Sequence, residues 1–160
     1  MDVEVAPQSL ELSYASLFAG WVLGAEVHRR MVRDGMGDLR FADGAVFQHV
    51  LPGPLSITEL AGRMGVTQQA ASKAVAQLER RGLLERRASP TDARTRLLHL
   101  TGAGRATIEA GRRYRAALED ELAAEFGADR VADARALLAE IITRFGAEEA
   151  VRTRRIRPPA

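Results

Sequence analysis

The chain has 160 residues, of which 46% are apolar, 28% charged and 5% aromatic, with no cysteine and a formal net charge of +2. This length fits one domain with added helices, its Leu-, Ala-, Val- and Ile-rich core favours helices over a sandwich, and the lack of cysteine excludes disulfides, thiolate metal sites, a cysteine nucleophile and a thiol switch. Charge is segregated: residues 63–113 carry 11 basic and 4 acidic side chains between acidic flanks, and four Arg follow Val151 with no acid, a footprint suited to a polyanion.

In chain order, a lead of about ten residues is read as disordered. Tyr14, Leu17, Phe18, Trp21, Val22, Val27, Met31 and Val32 then recur at helical spacing and predict one helix over Ser13 to Arg33. Its longest apolar run, Leu17 to Ala25, is nine residues, against about 20 for a membrane span. With an acidic N-terminus where a secretory signal is basic, the expected location is cytoplasmic. Asp34-Gly35-Met36-Gly37 breaks the helix, and a second follows over Phe41 to Val50, ended by Leu51-Pro52-Gly53-Pro54.

Ser56-Ile57-Thr58-Glu59 has the spacing of a capping box and predicts a short helix over Ile57 to Met64. Gly65 is placed to end it, and Thr67 can cap the next helix, which turns Ala71, Ala74, Val75 and Leu78 inward. Two helices joined by a short turn containing Gly make a helix-turn-helix. Arg80 and Arg81 sit against the second helix's C-terminal dipole ahead of Gly82.

Leu83 to Arg87 and Arg96 to Leu100 are β-compatible and flank the turn-forming Ser89-Pro90-Thr91-Asp92-Ala93-Arg94, so a hairpin wing follows directly. Thr101 opens a long helix that breaks near Gly127. A last helix over Asp129 to Phe145 places Val131, Leu138, Ile141 and Phe145 on one face, and the tail ending RTRRIRPPA is read as flexible.

Residues Leu55 to Arg105, LSITELAGRMGVTQQAASKAVAQLERRGLLERRASPTDARTRLLHLTGAGR, resemble the MarR family of bacterial transcription regulators, with first helix, recognition helix, wing and wing exit in unbroken order. The likeness extends over Ser13 to Phe145. Its most specific pieces are LERRGLLERR, the Asp92-x-Arg94 pair, and Leu100-Thr101 with Gly104. The resemblance implies a mainly α, winged helix-turn-helix protein that dimerises through its terminal helices and binds pseudo-palindromic double-stranded DNA. The implied organisation is 1–34 in the dimerisation region, 39–101 as the DNA-binding domain, 102–146 as dimerisation helices, and 147–160 as an Arg-rich tail.

The chemistry of the residues agrees. A recognition helix presents short polar side chains on its N-terminal turns, and Thr67, Gln68, Gln69, Ser72 and Lys73 fit that role, with Ala70, Ala71, Ala74 and Val75 leaving room for close approach. Gln can pair with adenine N6 and N7, whereas Thr67, Ser72 and Lys73 suit phosphates. Arg94 on the wing tip can enter a narrow minor groove, with Asp92 holding it in position as the resemblance implies. Arg86, Arg87 and Arg96 are candidate phosphate contacts, and Arg80 and Arg81 are weaker ones. The bland alternatives are a solvated first turn for the glutamines and a surface ion pair for Asp92 and Arg94.

The family also binds small aromatic effectors, for which Trp21, His28 and Phe47, with His49, are candidate wall residues; Trp21 fits a core stripe better. Scattered histidines give no metal motif, no cofactor is expected, and no nucleophile elbow or phosphate-binding loop suggests an enzyme. The leading reading is a repressor released by a signal. The alternatives are an interaction protein without DNA binding and an architectural DNA binder acting through its Arg-rich tail.

Overall fold

A computed structural model describes residues 6–36, 39, 41–92 and 94–152. The chain falls into two compact units, Met1–Asp38 and Leu39–Ala160.

The first unit is a 3-10 turn at Pro7–Ser9 followed by α1, Leu12–Arg33. The turn lies within the lead read as disordered. Glu26 pairs with Arg29 and, at 2.7 Å, with Arg30, pairs that support one helical face. Val27 and Met31 are buried, but Tyr14, Leu17, Phe18 and Val22 are exposed. Trp21, expected in the core, is 59% exposed and meets Phe18 edge-to-face at 5.3 Å. The apolar stripe is thus real as a helical face, and its N-terminal half is uncovered.

The second unit holds α2 (Phe41–Val50), β1 (Leu55–Ser56), α3 (Ile57–Met64), α4 (Gln68–Arg80), β2 (Leu84–Ala88), β3 (Arg96–Leu100), α5 (Gly102–Phe126), α6 (Ala128–Arg144) and α7 (Glu148–Arg152). The predicted helices recur within a residue or two. The sequence did not predict β1 or α7, and α7 places helix at the start of the segment read as a tail; residues 153–160 lie outside the described residues.

Local chemistry explains the boundaries. The Ser56 hydroxyl accepts from the Glu59 N–H while the Ser56 N–H donates to the Glu59 carboxylate at 2.7 Å, completing the capping box. That N–H and, at 2.8 Å, the Ser56 hydroxyl both donate to the Glu59 carboxylate and hold it below its usual range, the backbone bond contributing most. At the end of α4, the Gly82 N–H donates to the Glu79 carbonyl and the Leu83 N–H to the Leu78 carbonyl, with Gly82 at φ +68. That is a Schellman turn, and it delivers the chain straight into the wing.

The strands form an antiparallel sheet in the order β1-β3-β2, pairing Leu55 with Leu98 and Leu84 with Leu100. Leu55, Leu84, Leu98 and Leu100 close a core that includes Val46, Phe47, Leu60, Val75 and Leu78. α5 docks through its first turns. The Thr101 hydroxyl donates to the Gly82 carbonyl at 2.6 Å, and the Thr101 N–H reaches the Leu83 carbonyl at 3.2 Å. Gly104 lies so close that a Cβ there would stand 2.1 Å from the Leu83 carbonyl oxygen.

Past that contact α5 continues to Gly127, where the chain reverses into α6, tied back by an ion pair between Arg135 and Glu119. α6 has no buried residue: Leu137, Leu138 and Ile142 are exposed, and Phe145 is 78% exposed. No described helix is long and apolar enough to cross a membrane.

Candidate nucleic-acid interface

Thr67 caps α4 by accepting from the Ala70 N–H, so its oxygen is engaged in holding the helix start. Gln68, Gln69 and Lys73 project as exposed side chains, and Ser72 is half-buried. The first turn is not a row of equivalent solvated groups. The Gln68 amide nitrogen donates to the Thr58 hydroxyl on α3 at 2.6 Å, whereas Gln69 makes no such bond among the described residues.

Ala71 and Val75 are buried in the core, as the inward face of α4 predicts, because the helical period turns them opposite Gln69 and Lys73; the reading that they also leave room at the DNA surface falls on that buried face. Arg81 forms an ion pair at 3.4 Å with the buried Asp43 of α2, which ties the end of α4 to α2.

The wing repeats this mixture of holding and presenting. In the 89–95 turn, Asp92 accepts from the Arg94 backbone N–H at 2.9 Å through one oxygen and from the Thr95 hydroxyl at 2.7 Å through the other. This is an Asx turn, and the Ser89 N–H closes it onto the Thr95 carbonyl at 2.9 Å. Asp92 therefore positions Arg94 through its backbone and leaves the guanidinium available. The Thr95 hydroxyl, then the Arg94 N–H, hold the Asp92 carboxyl below its ordinary range.

Strand register explains where the other arginines point. Leu84, Arg86 and Ala88 share one face of β2, opposite Leu100, Leu98 and Arg96 of β3. The hairpin face that is leucine over the core becomes cationic where the wing extends past it. Ser56, Ile57 and Thr58 at the start of α3 join Arg86, Arg94, Thr95, Arg96 and Leu98 in lining one cleft of about 330 Å³. Arg86 is braced by Glu79 of α4 at 3.1 Å, and Arg87, on the other face, by Glu85 at 2.5 Å. Among the described residues, Lys73, Arg94 and Arg96 form no ion pair.

Of the candidate effector residues, Trp21 and His28 lie on α1 in the first unit, and Phe47 is 3% exposed within the core of the second. His49 of α2 is buried too. A second cleft, between α5 and α6, is lined by residues such as Glu119, Asp129 and Arg135 and by none of these. No group of three or more His, Cys, Asp or Glu among the described residues is arranged to hold a metal ion. Sequence reasoning missed Thr58, Glu79 and Thr95 as supports. Only Thr95 had a local signal, the hydroxyl three residues after Asp92 in an Asx-turn sequence.

A capped helix-turn-helix followed by an arginine-bearing hairpin, with a short strand ahead of it completing a three-stranded sheet, is a winged helix-turn-helix. Residues 38–95 match the MarR family model, and solved MarR-family regulators share the fold. The chain is 27% identical to the transcriptional repressor CouR, solved bound to a 23-mer DNA duplex, over 88% of this chain and 99% of that one, with a TM-score of 0.65. YusO from Bacillus subtilis, at 24% identity over 82% and 91% of the two chains with a TM-score of 0.66, shares the fold. So does MarR from E. coli in its apo form, at 22% identity over 83% and 98% with a TM-score of 0.61. No curated protein matches the sequence. The family's members are transcription regulators and not enzymes.

Proposed function

We propose that this chain is a homodimeric, sequence-specific DNA-binding repressor, with α4 in the major groove and the wing in the minor groove of a pseudo-palindromic operator. The observation that carries this reading is the continuity of one polar and cationic surface. The first turn of α4 is bonded through Gln68 to Thr58, and Thr58 lines the same cleft as Arg86, Arg94 and Arg96. Gln68 and Gln69 are the base readers, Thr67, Ser72 and Lys73 the phosphate partners on α4, and Arg94 the groove-entering guanidinium. Arg86, Arg87 and Arg96 neutralise flanking phosphates.

Dimerisation follows from apolar faces that the single chain leaves exposed. Tyr14, Phe18 and Trp21 on α1, and Leu138 and Phe145 in and just beyond α6, can each be buried against a second copy across a two-fold axis. In this scheme residues 39–101 bind DNA, while 1–34 and 102–146 form the dimer. A two-fold dimer reads half-sites about 10 bp apart, centre to centre. The likeness to a repressor solved on a DNA duplex supports the same reading.

The test is selection of bound fragments from the source genome by purified protein, beside a Lys73→Ala, Arg94→Ala double variant. A shared pseudo-palindrome enriched by the wild type and lost by the variant is the expected result. Failure of the wild type to enrich any sequence would overturn the proposal.

A further inference from the structure

Gln68 and Thr58 are ten positions apart in sequence and on different helices, yet their side chains meet at 2.6 Å at the surface. Both residues are exposed, so burial does not compel the contact. An exposed glutamine ordinarily samples many rotamers and loses that freedom when it engages a base. Here the freedom is already restricted in the unbound chain.

We propose that Thr58 is a positioning residue that sets the base preference of Gln68. The inference rests on the DNA-binding reading and deepens it. An amide nitrogen carries two N–H groups and the amide oxygen two lone pairs. Donation to the Thr58 hydroxyl uses one N–H. The other N–H and the oxygen remain, and together they supply the donor and acceptor that adenine N7 and N6 require in the major groove. With Thr58 taking the N–H that points away from the amide oxygen, the N–H beside the oxygen and the oxygen itself form the edge left for the base. Gln69, without such an anchor among the described residues, adapts to whichever base lies opposite. Gln68 is thus the more discriminating of two adjacent glutamines, and α3 contributes to specificity through Thr58.

Thr58 can be altered without disturbing the start of α3, because the capping bonds there belong to Ser56 and Glu59. The experiment selects binding sites from random duplex DNA with wild-type protein, Thr58→Val, Thr58→Ser and Gln68→Ala, each checked for an unchanged unfolding midpoint. The wild type is expected to show one symmetry-related pair of operator positions preferring A·T by about 10-fold or more, the size of a good bidentate contact. Gln68→Ala abolishes that preference. Thr58→Val lowers it to about 3-fold or less at the same pair of positions, and Thr58→Ser, which keeps the hydroxyl, restores it.

An unchanged preference in Thr58→Val would overturn the positioning role. A uniform loss of affinity across all positions would also overturn it, by making Thr58 a phosphate contact. A wild-type selection that Gln68→Ala leaves intact would remove Gln68 as a reader and the inference with it. If the wild type selects nothing, the DNA-binding reading itself fails, an outcome distinct from the other three.

Discussion

Gly104→Ala is the substitution that most directly tests how the wing is attached to α5. In most helices this exchange stabilises by up to about 1 kcal/mol, because alanine restricts the unfolded chain and favours helix. At Gly104 the new Cβ would stand 2.1 Å from the Leu83 carbonyl oxygen, 3.1 Å from its carbon and 3.2 Å from Leu100 Cδ2. Ordinary contact between carbon and oxygen needs roughly 1 Å more. The carbonyl cannot retreat freely, since it accepts the Thr101 N–H and follows a Gly82 carbonyl bonded to the Thr101 hydroxyl. Relief by moving α5 lifts Ile108 from the core shared with Leu83 and Leu100. Two weakened hydrogen bonds at about 1 kcal/mol each, plus an overpacking cost of about 1–3 kcal/mol, give roughly 3–5 kcal/mol of destabilisation. Urea unfolding at one fixed protein concentration, with Gly62→Ala as a control, is the assay. Gly62 lies in α3 with no atom within 4 Å of its added Cβ, so that control should match or exceed wild type. A Gly104→Ala midpoint equal to or above wild type would refute the reasoning.

Arg94→Ala should cost about 1–3 kcal/mol of operator affinity, and Asp92→Ala should reproduce part of that loss although Arg94 is still present; equal binding by Asp92→Ala and wild type would show that the Asx turn does not position the wing arginine. Operator affinity should fall with salt at a log-log slope of about −7 to −11 for roughly 8–12 phosphate contacts per dimer, and a slope near zero would remove the cationic surface as the contact. The Asp92 carboxyl, followed by NMR, should titrate below the ordinary Asp range, so its hold on the wing is intact above that range and lost only as pH falls through the lowered value. Thr95→Val removes the larger cause and should raise the midpoint; no rise would assign the shift elsewhere. Leu138→Glu with Phe145→Glu should weaken self-association by at least about 100-fold, since each exposed side chain is expected to bury an apolar surface worth about 1.5–3 kcal/mol; sedimentation showing an intact dimer would move the interface elsewhere.

What was legible in the sequence was mostly what is local. The Ser56-Glu59 box, the left-handed Gly65 and Gly82, and the Thr101 cap each depend on residues within a turn or two, and they fixed α3, α4 and the start of α5. β1 was not legible because two residues have no period; Leu55 and Ser56 are a strand only through pairing with Leu98 and Leu97. The burial of Phe47 was not legible because an aromatic on a short helix says nothing of which face it occupies until β3 and α4 are in place. Asp92 was rightly tied to Arg94, but the backbone, not the guanidinium, is what it holds. The tether of Gln68 to Thr58 and the pairing of Arg81 with Asp43 join residues ten and 38 positions apart, so they emerge only once the helices have packed.

The basic charge of residues 63–113 accordingly divides into two jobs that composition could not separate. Arg81 pairs with Asp43, Arg86 with Glu79 and Arg87 with Glu85, and these bonds tie α4 to α2, brace the wing against α4 and stiffen β2. The more exposed pairs, Arg86 with Glu79 and Arg87 with Glu85, add little stability. Their use at a DNA surface is geometric, since a guanidinium held by a carboxylate keeps its remaining donors aimed in one direction. Lys73, Arg94 and Arg96 form no ion pair among the described residues, and their full charge is available to a polyanion. Braced arginines define the shape of the surface and unbraced ones supply its attraction. A protein that had kept the scaffold but lost its nucleic-acid ligand would have no need to hold Arg94 by its backbone while leaving its side chain without a carboxylate partner. That combination at the wing tip, more than the net charge, favours DNA binding over the interaction-protein alternative.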